Sequence, residues 1–451
     1  MKRFRPLAMV AISLALVLSW TTAARAFCGF YVSQANASLY NQASQVILAR
    51  DGDRTVVTMA NDFQGEADDF AMVVPVPVVL QPEQVHVGDP EIVKRLDSFS
   101  APRLVEYFDE NPCMLREELR EFESAISLDV APASPARQRA NSLGITIESE
   151  FSVGEYDILV LSAKESSGLE TWLTENGYTI PDNAQPLLQP YIRQGMKFFV
   201  AKVNLAEHAK SGYQYLRPLQ IAYESPRFML PIRLGMTNAR GEQDLLIYAL
   251  SPRGQVELTN YRTVKIPTDA EIPVYVKDRF EEFYTSTFDT ARDRANKNVA
   301  FLEYAWDMSS CDPCAAPVLT PEELRKAGVF WTQANPFDSR ANSFALPPSV
   351  FLTRLHVRYD RANFPEDLVF QETANREFFQ GRYILRHPFQ GETPCRAGQE
   401  YRKRLPERFE REAQALAKLT NWDIADIRKN LPSVAQLDEP RPWWDVLLWE
   451  N

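Results

Sequence analysis

The first 26 residues set the conditions under which the rest of this 451-residue chain folds. Lys2, Arg3 and Arg5 form a basic start, Leu7 to Trp20 carries no charge, and Ala24-Arg25-Ala26 ends in the small-x-small pattern that a signal peptidase cuts. The pattern predicts an export signal over 1–26, cleaved between Ala26 and Phe27. Its 14-residue uncharged run is shorter than the roughly 20 residues a spanning helix needs. Cys28 stands one place too far in to be a lipidated first residue. No later segment reaches the length of a membrane span, so the expected location is the periplasm or the extracellular space, with an uncleaved anchor as the rival reading.

Export changes the meaning of the cysteines. Cys28, Cys113, Cys311, Cys314 and Cys395 are read first as disulfide candidates, because the compartment beyond the membrane permits oxidation. Five is odd, so at least one thiol is left over, and the sequence does not select among the pairings. Cys311-Asp312-Pro313-Cys314 is the only close pair. Its spacing allows a redox dithiol, with Cys311 as nucleophile and Cys314 as resolving thiol. Such a site wants its first cysteine at the start of a long helix, whereas Pro317 and Pro321 interrupt the residues that follow. A structural bridge is therefore the favoured reading. Zinc would need two further soft ligands, and the chain has no second C-x-x-C and no H-x-x-x-H, so neither a metal nor a cofactor is expected.

The leader takes Lys2, Arg3, Arg5 and Arg25 with it and no acid, so the formal charge of −11 becomes −15 after cleavage. An acidic surface of this kind disfavours nucleic acid and anionic lipid. The expected partner is a protein or a cell-envelope component. With 45% hydrophobic residues and no long low-complexity tract, the composition is that of a folded globule.

Behind the leader the pattern is α+β: a β-rich N-terminal unit over 27–130, a mixed α/β region over 142–277 and an α+β region with a helical C-terminal segment over 278–451. Gln45–Ala49 and Arg54–Ala60 flank Asp51-Gly52-Asp53 and predict a hairpin. Phe70–Val79 carries Pro75 and Pro77 and reads as an edge strand or an extended segment. Ile92, Val93 and Leu96 predict a helix after Pro90, with a second short helix starting near Pro102. Residues 131–141 mix proline with small and polar residues, which reads as a linker. Tyr156–Ser162, Gly168–Asn176 and Lys197–Val203 have strand, helix and strand patterns at βαβ-like spacing. Leu219–Tyr223, Leu245–Leu250 and Gln255–Thr259 read as hairpin strands.

The last third begins with a polar helix at Asp278–Lys297, expected to be solvated. Val350–Tyr359 and Arg382–Arg386 follow as strands. Glu400–Lys418 reads as a long helix with Leu405, Phe409, Ala413 and Leu416 on one side. At the end, Trp443, Trp444 and Trp449 are costly to expose. They are expected to dock on the chain's own core, with a partner surface as the rival. The four histidines, His86, His208, His356 and His387, belong to no H-E-x-x-H pattern, and G-x-S-x-G and Gly-rich phosphate loops are absent, so familiar zinc proteases, serine hydrolases and nucleotide sites are disfavoured. Asp51, Asp53 and Asp62 lack calcium-loop spacing and read as a hairpin tip.

Several stretches together resemble a bacterial family known as domain of unknown function 2330. They are Cys28-Gly29-Phe30-Tyr31-Val32, Asn61-Asp62-Phe63-Gln64-Gly65 followed by Phe70–Val79, Ser100 to Tyr107, Leu230-Pro231-Ile232-Arg233-Leu234-Gly235, and Trp306-Asp307-Met308 with the Cys311–Cys314 pair. The resemblance implies export and kinship of fold and brings no catalytic residues. The expectation is an exported, disulfide-stabilised binding or envelope-associated protein that is not an enzyme, with a thiol-disulfide oxidoreductase using Cys311 and Cys314 as the alternative.

Overall fold

The computed structural model describes residues 30–33, 40–64, 70–114, 145–175, 185–211, 216–237, 241–310, 312, 317–332 and 349–433. The chain forms two compact units, each assembled from non-adjacent segments. The first takes Met1–Ser100, Gly144–Val264 and Lys297–Phe378, and the second takes Ala101–Leu143, Lys265–Asn296 and Phe379–Asn451. Strands dominate the first and long helices the second, an α+β arrangement.

The larger sheet of the first unit begins with the hairpin β2 (Tyr40–Asp51) and β3 (Arg54–Gln64), which pair antiparallel across a turn where Gly52 takes φ 57°. Glycine is favoured there because a Cβ is disfavoured at positive φ. The strand order is β14 (Arg262–Lys265), β16 (Val299–Asp307), β17 (Phe351–Tyr359), β12 (Gln243–Ser251), β2, β3, β10 (Leu219–Glu224) and β5 (Val85–Val87). Helix α1 (Pro90–Ser100) buries Ile92, Val93, Leu96 and Phe99 in a core shared with Ile47, Tyr248, Tyr304 and Leu352. At roughly 1.5–3 kcal/mol per large apolar side chain, this 3.6-residue stripe fixes which face of α1 turns inward.

A second sheet runs β1 (Phe30–Ser33), β4 (Phe70–Val76), β9 (Lys197–Val203), β8 (Tyr156–Ala163) and β7 (Ile145–Val153). Helices α2 (Ser166–Glu175) and α3 (Gln185–Arg193) pack on it through Leu169, Leu173, Leu188 and Tyr191. A short sheet of β11 (Met229–Leu230), β18 (Leu368–Glu372) and β13 (Val256–Leu258) completes the unit's sheets, with helices α4 (Leu205–Ser211) and α6 (Pro321–Lys326) at its surface. Asp367, just before β18, ties several of these parts together. Its Oδ1 accepts from Tyr191 Oη at 2.6 Å and from the Ile232 and Arg233 backbone N–H groups, while its Oδ2 accepts from Arg233 Nη2 at 2.6 Å.

The second unit holds a three-stranded parallel sheet in the order β15 (Ala270–Ile272), β20 (Arg382–His387) and β6 (Arg103–Phe108), with the short β19 (Phe379–Gln380) just before β20. Helices α5 (Phe280–Arg294), α7 (Arg396–Thr420) and α8 (Ile424–Lys429) share its core, which includes Ile272, Phe283, Tyr383, Leu385, Ala413, Leu416 and Ile427. The apolar side expected for the long C-terminal helix is the buried side of α7: Leu405, Phe409, Ala413 and Leu416 are all enclosed.

Five expectations need correction. The residues after Pro102 form strand β6 rather than a second short helix, because Arg103-Leu104-Val105-Glu106-Tyr107-Phe108 finds a parallel partner in β20. Phe70–Val79 is not an edge strand along its whole length, since β4 pairs with β9 on one side and with β1 on the other. Pairing with β1 involves only Phe70 to Val73, so Pro75 falls where that neighbour has ended and only β9 runs beside it. The βαβ-like spacing of Tyr156–Val203 hides an antiparallel pair, because two helices rather than one return the chain from β8 to β9. Finally, β10, β12 and β13 exist but make no hairpins with one another: β10 pairs with β3 and β5, β12 with β2 and β17, and β13 with β18. The polar helix α5 is also only half solvated, with Phe283, Thr287, Phe288 and Ala291 buried.

Candidate functional site

Cys113 and Cys395 are joined in a disulfide, with Cα atoms 5.8 Å apart and a separation of 282 positions in sequence. Both ends lie in the second unit. Cys113 sits in a turn just beyond β6, where its N–H donates to Asn111 Oδ1 at 2.9 Å. Cys395 is the N-cap of α7, and its Sγ accepts a hydrogen bond from Gly398 N–H at 3.2 Å. A Cβ on Gly398 would lie 2.5 Å from Thr393 Cβ, 2.9 Å from Thr393 O and 3.1 Å from Cys113 Sγ, so the bridge and the first turn of α7 meet only over a glycine. An open groove beside the bridge is lined by Glu392, Thr393, Pro394, Gln399, Arg402 and Lys403.

Beneath the bridge lies a buried polar group. Asp109 follows β6 and donates its N–H to His387 O at 3.0 Å, which carries the β6–β20 ladder one step past the strand. Its carboxylate accepts from Tyr401 Oη at 2.6 Å and from Arg408 Nη1 at 2.5 Å. Burial, reinforced by Asp109, pushes the Tyr401 hydroxyl up to about 12. Arg408 Nε is 3.4 Å from Glu412 Oε1, but the alignment makes no hydrogen bond, so both atoms stay buried without one. Burial, with Glu271 and Asp109 adding to it against the pull of Arg408, pushes the Glu412 carboxyl up to about 7. On the same sheet, His387 Nε2 lies 2.7 Å from Glu106 Oε2, Lys277 Nζ 2.8 Å from Glu106 Oε1, and the His387 ring stacks on Phe108 at 4.4 Å.

The first unit holds a second charged network, inside its larger sheet. Arg354, His356 and Arg358 alternate along β17 and so share one face. Glu303 is the extra residue of a β-bulge between Leu302 and Tyr304, and bulges re-aim side chains. The fully buried Glu303 thereby accepts from Arg354 Nε at 2.6 Å and lies 2.8 Å from His356 Nδ1. Asp244 of β12 lies 3.1 Å from His356 Nε2 and accepts from Arg358 Nε at 2.8 Å. Asp97 of α1 accepts from Arg354 Nη1 at 2.7 Å and from Tyr248 Oη at 2.8 Å.

Burial alone would lower the His356 pKa, but Glu303 and Asp244 outweigh it and hold the ring above the ordinary histidine value. Burial would likewise raise Asp244, yet His356 and Arg358 hold it well below the usual carboxylate range. With guanidinium groups already filling the carboxylates, the arrangement clamps β16, β12 and α1 onto β17 and leaves little room for a metal ion. Among the described residues no His, Cys, Asp or Glu group is arranged to hold one.

Of the residues singled out from sequence, the structure brings together Cys113 and Cys395. Ala26, Phe27, Cys28, Cys311 and Cys314 lie outside the described residues, as do Trp443, Trp444 and Trp449. Because each sulfur forms one bridge, none of Cys28, Cys311 and Cys314 pairs with Cys113 or Cys395. Asp312, between the two cysteines of the close pair, is buried and accepts from Tyr304 Oη at 2.9 Å. Asp51 and Asp53 stand at the β2–β3 turn. His86 is exposed in β5 and His208 lies in α4. Sequence reasoning missed Glu303, Arg354, Asp109, Arg408 and Glu412. The period-two run of Arg354, His356 and Arg358 within an apolar strand was a visible signal for the first pair; nothing local announced the rest.

A family model described as an uncharacterized protein conserved in bacteria (DUF2330) matches residues 22–371. The chain belongs to that family. The match takes in the whole β17 network and Cys113, and it stops before Cys395 and α7. No curated protein and no solved structure matches the chain. Among the described residues no helix is long and apolar enough to cross a membrane.

Proposed function

We propose that this member of the family is an exported, disulfide-stapled protein that binds a protein or cell-envelope component and catalyses no reaction. One observation supports the reading: Cys113 and Cys395, 282 positions apart, are bonded, and bridges of this kind form and persist mostly in oxidising compartments. The leader pattern ending at Ala26 supports the same destination, the periplasm or the extracellular space. The groove beside the bridge supplies a surface for a polar partner. It is open, mixes Glu392 with Arg402 and Lys403, and is held by the first turns of α7.

The oxidoreductase alternative at Cys311 and Cys314 finds less support. The first described helix after the pair starts at Pro321, is capped by Thr320 and runs only six residues.

The test is a mass analysis of the protein recovered from cell fractions. A mature N-terminus at Phe27, with a non-reducing peptide linking Cys113 to Cys395, is the expected result outside the cytoplasm. An intact leader on a cytoplasmic protein with both thiols free would sink the export reading. Arg402→Glu with Lys403→Glu should lower retention on isolated envelope, and unchanged retention would count against the groove.

A further inference from the structure

The two sulfurs of the Cys113–Cys395 bridge sit in unlike surroundings. Cys395 stands at the start of α7, a helix of 25 residues, and its Sγ accepts the Gly398 N–H at 3.2 Å. The first turn of α7 carries no acid. It opens on Arg396, which is exposed and pairs with Glu400 a turn further on, while Arg402 and Lys403 line the groove beside it. Glu392, exposed, is the acid among the residues lining that groove. A helix start and nearby cations both favour negative charge. A thiol so placed ionises at about 3.5–7.5 rather than at the ordinary value of about 8.5.

Cys113 lies instead in a turn that follows Asp109 and the exposed Glu110, and Asn111 Oδ1 accepts its N–H. Met114 beside it is 76% exposed. Both cysteines are only half-buried, so a thiol in solution reaches the bridge. In thiol exchange the sulfur whose thiolate is better stabilised leaves faster. Here that sulfur is Cys395.

We infer that the Cys113–Cys395 bridge is a redox switch within the second unit, opened by a dithiol reductant that attacks Cys113 and displaces Cys395. The reductant's thiolate bonds to Cys113 Sγ, the bond between the two cysteine sulfurs breaks, and its electron pair stays on Cys395 Sγ. The reductant's second thiol then closes on its own first sulfur and releases Cys113. The dithiol is oxidised by two electrons and the bridge is reduced by two; of the two protons the dithiol loses, one goes to Cys113 and one to water. Cys395, still charged, keeps the Gly398 N–H, so α7 retains its cap while the turn at 111–114 loses its tether. Such a switch needs no envelope partner.

The experiment uses the full mature chain, with peptide mass mapping to read Cys28, Cys311 and Cys314 separately. In a short, acid-quenched pulse of reduced glutathione at pH 7, the mixed disulfide should form on Cys113 about tenfold more often than on Cys395. After reduction with dithiothreitol, alkylation of Cys395 by iodoacetamide should be half-maximal below about pH 7.5, at least a pH unit lower than for Cys113. Ala397→Glu puts an acid at an exposed position in the first turn; it should slow alkylation of Cys395 at pH 6 about two- to fivefold and leave Cys113 unchanged. Hydrogen exchange in the reduced native chain should quicken about tenfold at residues 109–114 while 399–420 in α7 stay protected. Glutathione on Cys395 or on both cysteines equally, both thiols titrating near about 8.5, or α7 losing protection together with the bridge would each overturn the switch. So would a bridge that resists dithiothreitol until denaturant is added, or a Cys395 indifferent to Ala397→Glu. The measurements on the native chain decide the matter even if Ala397→Glu folds poorly.

Discussion

Cys395 does two jobs with one sulfur: it is bonded to Cys113 and, as N-cap, it accepts the hydrogen bond of Gly398 N–H that opens α7. The bridge therefore fixes both the path of the chain after β6 and the start of the 25-residue helix that covers the parallel sheet. A residue ordinarily asked only to cap contributes on the order of 1 kcal/mol; here the same position also closes a very long loop.

Replacing Cys113 and Cys395 together by serine should lower stability by about 2–5 kcal/mol, the range for native bridges closing long loops. Serine supplies a capping oxygen where the Cys395 sulfur stood, so the loss reports on the bridge rather than the cap. Thermal melts of the double variant in oxidising buffer would check this, and a melt equal to that of the native protein would refute it.

Gly398→Ala tests the close approach. With Thr393 O 2.9 Å and Cys113 Sγ 3.1 Å from the added methyl position, backbone or bridge must shift. Overpacking of this kind costs about 1–3 kcal/mol. The variant should also form the 113–395 bridge in lower yield during oxidative refolding, measured by non-reducing peptide mapping.

Glu412 gives the second unit an inverted acid response. Its carboxyl titrates near 7 when folded and at the ordinary 4.5 when unfolded, so the group is neutral in both states at low pH and penalises the folded state as pH climbs from 4.5 through 7. Glu412→Gln should leave stability at pH 4 unchanged and raise it at pH 8 by about 3 kcal/mol. Denaturant melts at the two pH values would show it, and equal effects at both would contradict the burial argument.

His356 works in the opposite sense. A histidine held above its ordinary value by Glu303 and Asp244 contributes stability that is complete below pH 6.5 and disappears as pH rises through its folded value. His356→Gln should thus be most damaging near pH 5 to 6, and the gap to the native protein should narrow in alkaline buffer. Following the imidazole proton resonance by NMR would locate the titration directly.

Asp367→Asn removes charge from a carboxylate that serves Tyr191, Arg233 and two backbone N–H groups. Breaking such a buried pair leaves the Arg233 cation with only the exposed Glu366, 3.3 Å from its Nη1, and costs up to about 3–5 kcal/mol. Hydrogen exchange at Ile232 and Arg233 should rise with it, since their amide acceptor weakens.

The β2–β3 hairpin, α1, β8, β9, β17, β20 and the apolar side of α7 were legible because each is specified by its own residues: a period of two or 3.6, bounded by Gly, Pro or Asp. Pairing was not. The residues after Pro102 became a strand only because β20, some 280 positions later, offers a parallel edge, and no local pattern carries that information. The same holds for the candidate site. All five cysteines were visible, but the 113–395 choice depends on where β6 ends and α7 begins. Glu303 looks like an ordinary charged residue in an apolar strand until a bulge turns it toward Arg354 and His356.

The parallel sheet of the second unit has a consequence in time. β6 is synthesised at residues 103–108, but its neighbour β20 arrives only at 382–387 and Cys395 later still. The strand stays without that neighbour until residues 382–387 exist, and its bridge cannot close before Cys395 has followed. Contacts of such separation form slowly, so the β6–β20 pairing and the bridge beside it are slow steps in forming this unit, and the bridge is where a disulfide folding helper would act.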